Sequence, residues 1–176
     1  MYPYIRLTAQ MLRHRRGPPL PLDGTHISYH RCLPWDIDPF MELNNGRTLT
    51  LYDLGRLPLA LRTGLIAHLR RNRWSLTMAG VSVRYRRRIR TFDRFQMRSR
   101  CVGWDDKFVY IDQSMWLGET CAGQALYRSA IVGRDGIVSP AQVVAGMTDA
   151  PVDMKLPDWV QAWINADAKR PWPPMP

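Results

Sequence analysis

The stretch Trp35-Asp36-Ile37-Asp38-Pro39-Phe40-Met41-Glu42-Leu43-Asn44-Asn45-Gly46-Arg47, with the apolar repeat that follows it, decides the fold. Its first half is an acidic, proline-bearing loop. Asn44, Asn45 and Gly46 then supply the side chains that cap a helix start. Leu49, Tyr52, Leu57, Leu61, Leu65 and Leu69 recur at helical spacing, which predicts one long helix from Arg47 to about Arg71. Pro58 falls inside that pattern and predicts a kink or a division near Gly55-Arg56-Leu57.

On either side of this helix the pattern changes to a period of two. Before it, His26 to Leu33 reads as a first strand, with Ile27, Tyr29 and Arg31 alternating with Ser28, His30 and Cys32. After it, Ser75 to Arg90 places Val81, Val83, Tyr85 and Ile89 on one face and Ser82, Arg84, Arg86, Arg88 and Arg90 on the other. Arg94 to Gly103, Lys107 to Leu117 and Cys121 to Gly133 follow with short connections, so an antiparallel meander is expected. Tyr85, Phe108 and Tyr110 read as core. A long helix cannot bury its apolar stripe alone, and an antiparallel sheet has one face to cover. The economical architecture is α+β, a curved antiparallel sheet wrapped around the helix.

The segment 35–47 also resembles the signature of hotdog-fold acyl-CoA thioesterases. That family includes the 4-hydroxybenzoyl-CoA thioesterases and the bacterial relatives of thioesterase superfamily member 6. Members run roughly D-x-D-x-x-x-H-x-N-N-x-R-Y before a helix ending E/D-x-x-R. Asp36, Asp38, Asn44, Asn45 and Arg47 keep that register, and Asp53 and Arg56 stand where the acidic residue and the Arg are expected. Val83-Arg84-Tyr85-Arg86-Arg87 and Phe92-Asp93-Arg94-Phe95 resemble the family's third-strand region. The similarity covers about residues 23–145.

The resemblance implies a hotdog fold and hydrolysis of an acyl-CoA or acyl-carrier-protein thioester. It needs no metal and no cofactor beyond the coenzyme A of the substrate. It also implies a homodimer or tetramer whose sheets join edge to edge and whose sites use both chains. The chemistry has a plain logic. A thioester carbonyl must be polarised while water or a carboxylate attacks it, and free N–H groups at a helix N-terminus can hold the oxyanion. Asn45 and Gly46 are the candidates for that role. A nearby carboxylate activates water or attacks directly. Asp38, in Asp36-Ile37-Asp38-Pro39, matches the catalytic acid of the family. Glu42 stands where the close branch has its His, and Phe40 also departs from the pattern. Glu42 is either a replacement base or a surface carboxylate of an acyl-binding protein that has lost the acid–base set.

Other candidates carry two readings each. Asn44 contacts substrate or caps the helix, and Asp53 contacts substrate or pairs with Arg56 or Arg47. Arg84, Arg86 and Arg88 hold CoA phosphates or form an exposed face. Met41 and Tyr52 are candidates to line an acyl channel.

Outward from this domain, residues 1–22 read as an arm and linker. Ile5, Ala9 and Leu12 follow i, i+4, i+7 among Arg6, Arg13, Arg15 and Arg16. Residues 1–16 thus form a basic amphipathic segment that either packs on its own protein or lies on anionic lipid. Gly17-Pro18-Pro19-Leu20-Pro21 breaks it. A hotdog domain over 23–150 and a C-terminal piece over 151–176 complete the chain. In that last piece Leu156 to Ala166 reads as a short helix, and Pro171 to Pro176 as an irregular tail.

Composition sets the outer bounds. With 176 residues, 45% hydrophobic and 23% charged, the chain suits one globular unit. A formal net charge of +10 calls for an anionic partner or reflects a basic solvated surface. No helix-turn-helix, RNP or zinc-finger pattern supports nucleic acid. Cys32, Cys101 and Cys121 are widely spaced and odd in number, which fits a reducing, cytoplasmic compartment and neither a disulfide scaffold nor a zinc site.

Overall fold

The computed structural model describes residues 2–147 and 154–174. In chain order these form α1 (Tyr4–His14), β1 (Thr25–Arg31), α2 (Asn45–Arg62), α3 (Leu65–Asn72), β2 (Ser75–Tyr85), β3 (Arg94–Trp104), β4 (Phe108–Leu117), β5 (Thr120–Gly133), β6 (Gly136–Val138), α4 (Pro140–Ala145) and α5 (Asp158–Asp167). All pairings are antiparallel, in the order β1-β3-β4-β5-β2, with β6 on β5. The sheet curls around α2. Leu51, Leu54 and Leu59 of the helix share a core with Phe95, Met97, Met115 and Tyr127 of the strands. This is the hotdog architecture that the sequence led us to expect.

The closest approach of helix to sheet is at Gly55. A Cβ there would stand 2.5 Å from Ser99 Oγ and 2.6 Å from Met97 Sδ. Beside it Gln113 donates to the Ser99 hydroxyl at 2.7 Å and to the Tyr52 carbonyl at 2.9 Å, and accepts from Arg56 at 3.3 Å. The sheet is thereby hydrogen-bonded to the helix as well as packed on it. On the opposite face of the sheet, Val160 of α5 is buried among Val102, Tyr110 and Leu126. Residues 148–153, where the expected boundary between 150 and 151 falls, and the end of the Pro-rich tail at 175–176 lie outside the described residues.

Several expectations need correction. The long helix is divided, but not at Pro58. α2 runs through that buried proline and ends at Arg62, and Gly64, at φ +76°, sits between α2 and α3. A proline removes one helical hydrogen bond, whereas a left-handed glycine turns the chain out of the helix. The strand expected over Ser75 to Arg90 stops at Tyr85. There Arg86 and Arg87 both donate to the Ala122 carbonyl, at 2.8 and 3.0 Å, and the ladder ends. Arg84 is the last Arg on the strand, so Arg84, Arg86, Arg88 and Arg90 do not form a row on one strand face. Tyr85 is half-exposed and not core, whereas Tyr110 is fully buried.

The first strand buries the opposite face from the one its apolar residues suggest. Ile27 and Tyr29 face out, while His26, Ser28 and His30 are buried. The inner face meets polar partners. His26 Nδ1 lies 3.1 Å from Arg62 Nη1 and its ring meets His14 edge-on, and His30 Nε2 lies 2.8 Å from Ser28 Oγ. α1 shows the same inversion. It docks on the body, with Leu7 against the main core, and leaves the stripe of Ile5, Ala9 and Leu12 in solvent.

One buried carboxylate holds the N-terminal half together. Asp36 is inaccessible to solvent and accepts from Arg6 at 2.6 Å, from Arg47 at 2.6 and 3.1 Å, and from the Leu33 N–H at 3.1 Å. Burial opposes its ionisation, but the bonds from Arg47, Leu33 and Arg6 outweigh burial and hold the carboxyl below its ordinary value.

Two predictions follow from this packing. Removing one member of a buried ion pair costs about 3–5 kcal/mol, and both Arg partners here keep some solvent, so Asp36→Ala is expected to cost about 3 kcal/mol in urea unfolding. A loss below about 1 kcal/mol would contradict the role assigned to Asp36. Burial, with the positive charges around them, pushes His26 down to about 4 and His30 down to about 3, from 6.5. The unfolded chain therefore binds more protons between those values, and stability should fall as pH drops from 6.5 toward 4. The melting temperature should fall over that window, and a flat profile would contradict buried, neutral imidazoles.

Candidate functional site

The site forms where the acidic loop enters α2. Ile37 and Leu43 bridge across the base of the loop, and within it Asp38 N–H donates to the Glu42 carbonyl at 2.9 Å. Asp38 Oδ1 accepts from the N–H groups of Phe40 at 2.9 Å and Glu42 at 3.4 Å, so this carboxylate holds its own turn. At the apex Met41 takes a positive φ of 58° and is exposed beside exposed Phe40. Asn44 caps the helix, its side-chain oxygen accepting from Arg47 N–H at 3.1 Å, and its own N–H is tied to the Asp36 carbonyl at 2.9 Å. Among the described residues, nothing accepts from the N–H groups of Asn45 and Gly46. The positive end of an 18-residue helix is left open there.

A cleft of about 330 Å³ opens beside this helix start. Glu42 and Asn45 line its upper wall with Thr48, and Arg86, Arg87 and Arg88 stand at its mouth. Tyr52, Met115, Ala122 and Gly123 form the depth. Glu42 is the one carboxylate among the described lining residues, and its Oε2 lies 2.9 Å from Arg88 Nε. The arginines at the mouth continue into a second, strongly basic cleft that also includes Arg90.

The structure brings Glu42, Asn45, Tyr52, Arg86 and Arg88 together on one cleft. It does not place Asp38, Met41, Asn44, Gly46, Asp53 or Arg84 among the lining residues. Asp53 is paired with Arg56 at helical spacing and accepts from the Tyr2 hydroxyl at 2.8 Å. Arg84 borders a different depression, with Trp159 and Trp163 of α5. Thr48, Tyr85, Met115 and Gly123 enter the cleft without any warning in the sequence. Met115 and Gly123 arrive through the β4–β5 register, which pairs them with each other. Thr48 alone had a local signal, since it lies one turn after Asn44 on the face of the cap. Among the described residues no group of His, Cys, Asp and Glu is arranged to hold a metal ion, and no helix is long and apolar enough to cross a membrane.

Comparison with known proteins agrees with this geometry. The family model for the thioesterase-like superfamily matches residues 32–164. The protein THEM6 of Xenopus laevis is 32% identical over 136 residues, covering 76% of this chain and 64% of its own length. Its counterpart in Drosophila melanogaster is 36% identical over 92 residues, covering 52% of this chain and 47% of its own. The chain thus spans about half to two thirds of the length of these relatives. Among solved structures, YbaW of Escherichia coli aligns with a TM-score of 0.62 at 14% identity, covering 65% of this chain and 89% of that one. Slr0204 of Synechocystis, a 1,4-dihydroxy-2-naphthoyl-CoA thioesterase, aligns with a TM-score of 0.58 at 11% identity, covering 68% and 92%. These likenesses show the shared hotdog fold. With the family match over most of its length, the chain belongs to the thioesterase-like superfamily.

Proposed function

We propose that this protein hydrolyses an acyl-CoA, or the corresponding acyl-carrier-protein thioester, in the cleft at the N-terminus of α2. One observation carries the reading. Glu42 shares a wall with Asn45, at a helix start whose first N–H groups have no acceptor among the described residues. The thioester oxygen accepts from the N–H groups of Asn45 and Gly46, where the helix end favours developing negative charge. Glu42 takes a proton from water as its oxygen bonds to the acyl carbon. The carbon–sulfur bond then breaks, and that proton passes to the departing thiolate, giving acid and free thiol. Asp38 holds the loop that presents Glu42.

Arg86 and Arg88, with Arg87, supply the positive charge that suits CoA phosphates, and Tyr52 and Met115 take the acyl group. No metal enters this scheme, and the coenzyme belongs to the substrate. β2 ends the sheet with a free edge and exposed Met78, Val81 and Tyr85, so a second copy joins there edge to edge. The outward stripe of α1, with Arg13, Arg15 and Arg16 at its end, suits peripheral contact with anionic lipid. Three free cysteines suit a reducing cytoplasm.

The ion pair between Glu42 and Arg88 favours a second reading, an acyl-CoA-binding protein without turnover, because a paired carboxylate is a weaker base. Free-thiol release from a panel of acyl-CoA esters separates the two. The hydrolase reading expects turnover of at least one ester and a loss of about 100-fold or more in kcat for Glu42→Gln. Tight binding of an ester without thiol release by the parent protein supports the second reading.

A further inference from the structure

One group in the cleft has no role in that scheme beyond bulk. Tyr52 lines the cleft and is 0% exposed, and its hydroxyl has no hydrogen-bond partner. A Cβ on Gly123 would come 3.9 Å from that oxygen, which puts the hydroxyl against the cleft wall that Gly123 forms. The nearby acceptors are spent. The Ala122 carbonyl takes the N–H groups of Arg86 and Arg87, and the Gly123 carbonyl takes the Cys121 thiol. The other deep lining residues, Leu43, Ile89 and Met115, offer no side-chain oxygen. Tyr127 meets the Tyr52 ring edge-on at 6.0 Å and sends its own hydroxyl to the Leu49 carbonyl. Buried polar groups in native proteins are nearly always paired, so an unpaired donor beside a cleft calls for an acceptor from outside.

The place of the hydroxyl says which acceptor. Tyr52 comes seven residues after Asn45 on α2, roughly 10 Å along the helix axis, and helical side chains lean back toward the N-terminus. With the thioester oxygen at the N–H groups of Asn45 and Gly46, the phenol is too deep for that oxygen. It meets the acyl group several bonds further in. Burial raises the phenol far above its ordinary value, so the group remains a neutral donor. A neutral donor within an apolar lining does not offset the desolvation of a carboxylate, so the acceptor is uncharged.

We infer that the cleft selects acyl groups bearing a hydroxyl or keto oxygen several bonds from the thioester, hydrogen-bonded by the Tyr52 hydroxyl. The inference rests on the hydrolase reading for the position of the thioester. A plain hydrocarbon chain leaves the hydroxyl unpaired, and sites built to bond a substrate oxygen discriminate strongly against analogues that lack it.

The test uses short acyl-CoA esters in matched pairs, with and without one hydroxyl or keto oxygen at successive positions. Each pair is also made as a non-hydrolysable thioether for calorimetry. At one position the oxygenated ester is expected to exceed its partner by at least ~10-fold in kcat/KM, with a matching ratio in Kd for the thioethers. Tyr52→Phe is expected to bring both ratios to within about 2-fold of unity. Its melting temperature should not fall, because the substitution deletes an unpaired group and keeps the ring. Equal turnover across every pair, or a preference that survives Tyr52→Phe, overturns the inference and leaves the hydrolase reading intact. If no ester is turned over, the hydrolase reading fails. The thioether Kd ratios, and their dependence on Tyr52, then decide the inference by themselves.

Discussion

The buried carboxylate of Asp36 is the constraint from which the rest of the site follows. It is a single side chain, yet it receives Arg6 from α1, Arg47 from the first turn of α2, and the Leu33 N–H from the connecting loop. Three segments far apart in the sequence are thereby fixed to one point. Two positive partners around one buried negative charge also keep that charge ionised. With Asp36 so engaged, it cannot serve as an acid or base. Its work is to set where α2 begins, and the start of α2 is where unbonded N–H groups stand at the edge of a cleft. The two acids of Asp36-Ile37-Asp38-Pro39 therefore both act on backbone geometry: Asp36 holds the helix and Asp38 holds the turn.

That arrangement moves the chemical burden to Glu42. The loop closed by Asp38 carries Glu42 on its far side, directly before the helix, and the guanidinium of Arg88 orients it. The arginines at the cleft mouth have a different physical basis from the one that strand alternation suggests. They gather there because the chain leaves the sheet after Tyr85 and bends across the mouth, so neighbouring residues 86, 87 and 88 all reach one opening. A strand would have sent Arg87 to the opposite face from Arg86 and Arg88.

The architecture was legible because its signals are local and periodic. The leucines of α2 and the two-residue alternation of β3, β4 and β5 each predict their own element, and Asn44 marks the helix start that it caps. The errors arose where long-range contacts override local pattern. At β1, Ile27 and Tyr29 look like core, but Arg62 and His14 come from elsewhere to face His26, so the polar side turns inward. On α1 the apolar stripe is outward because Arg6 must reach Asp36 from the other side. For the cleft, Glu42, Asn45 and Tyr52 were readable from the motif and its helix. Met115, Ala122 and Gly123 were not, since only strand register brings them under the helix. Asp53 illustrates the ambiguity of a charge at helical spacing, which its pairing with Arg56 resolves.

The central claim is that the opening beside the first turn of α2 holds the reacting thioester. A crystal structure of the full chain with a non-hydrolysable acyl-CoA thioether ketone tests it most directly. The account predicts the ketone oxygen within about 3.2 Å of the N–H groups of Asn45 and Gly46, with the phosphates beside Arg86 to Arg88. An acyl group lodged elsewhere on the molecule, with the helix start still open to solvent, would contradict it.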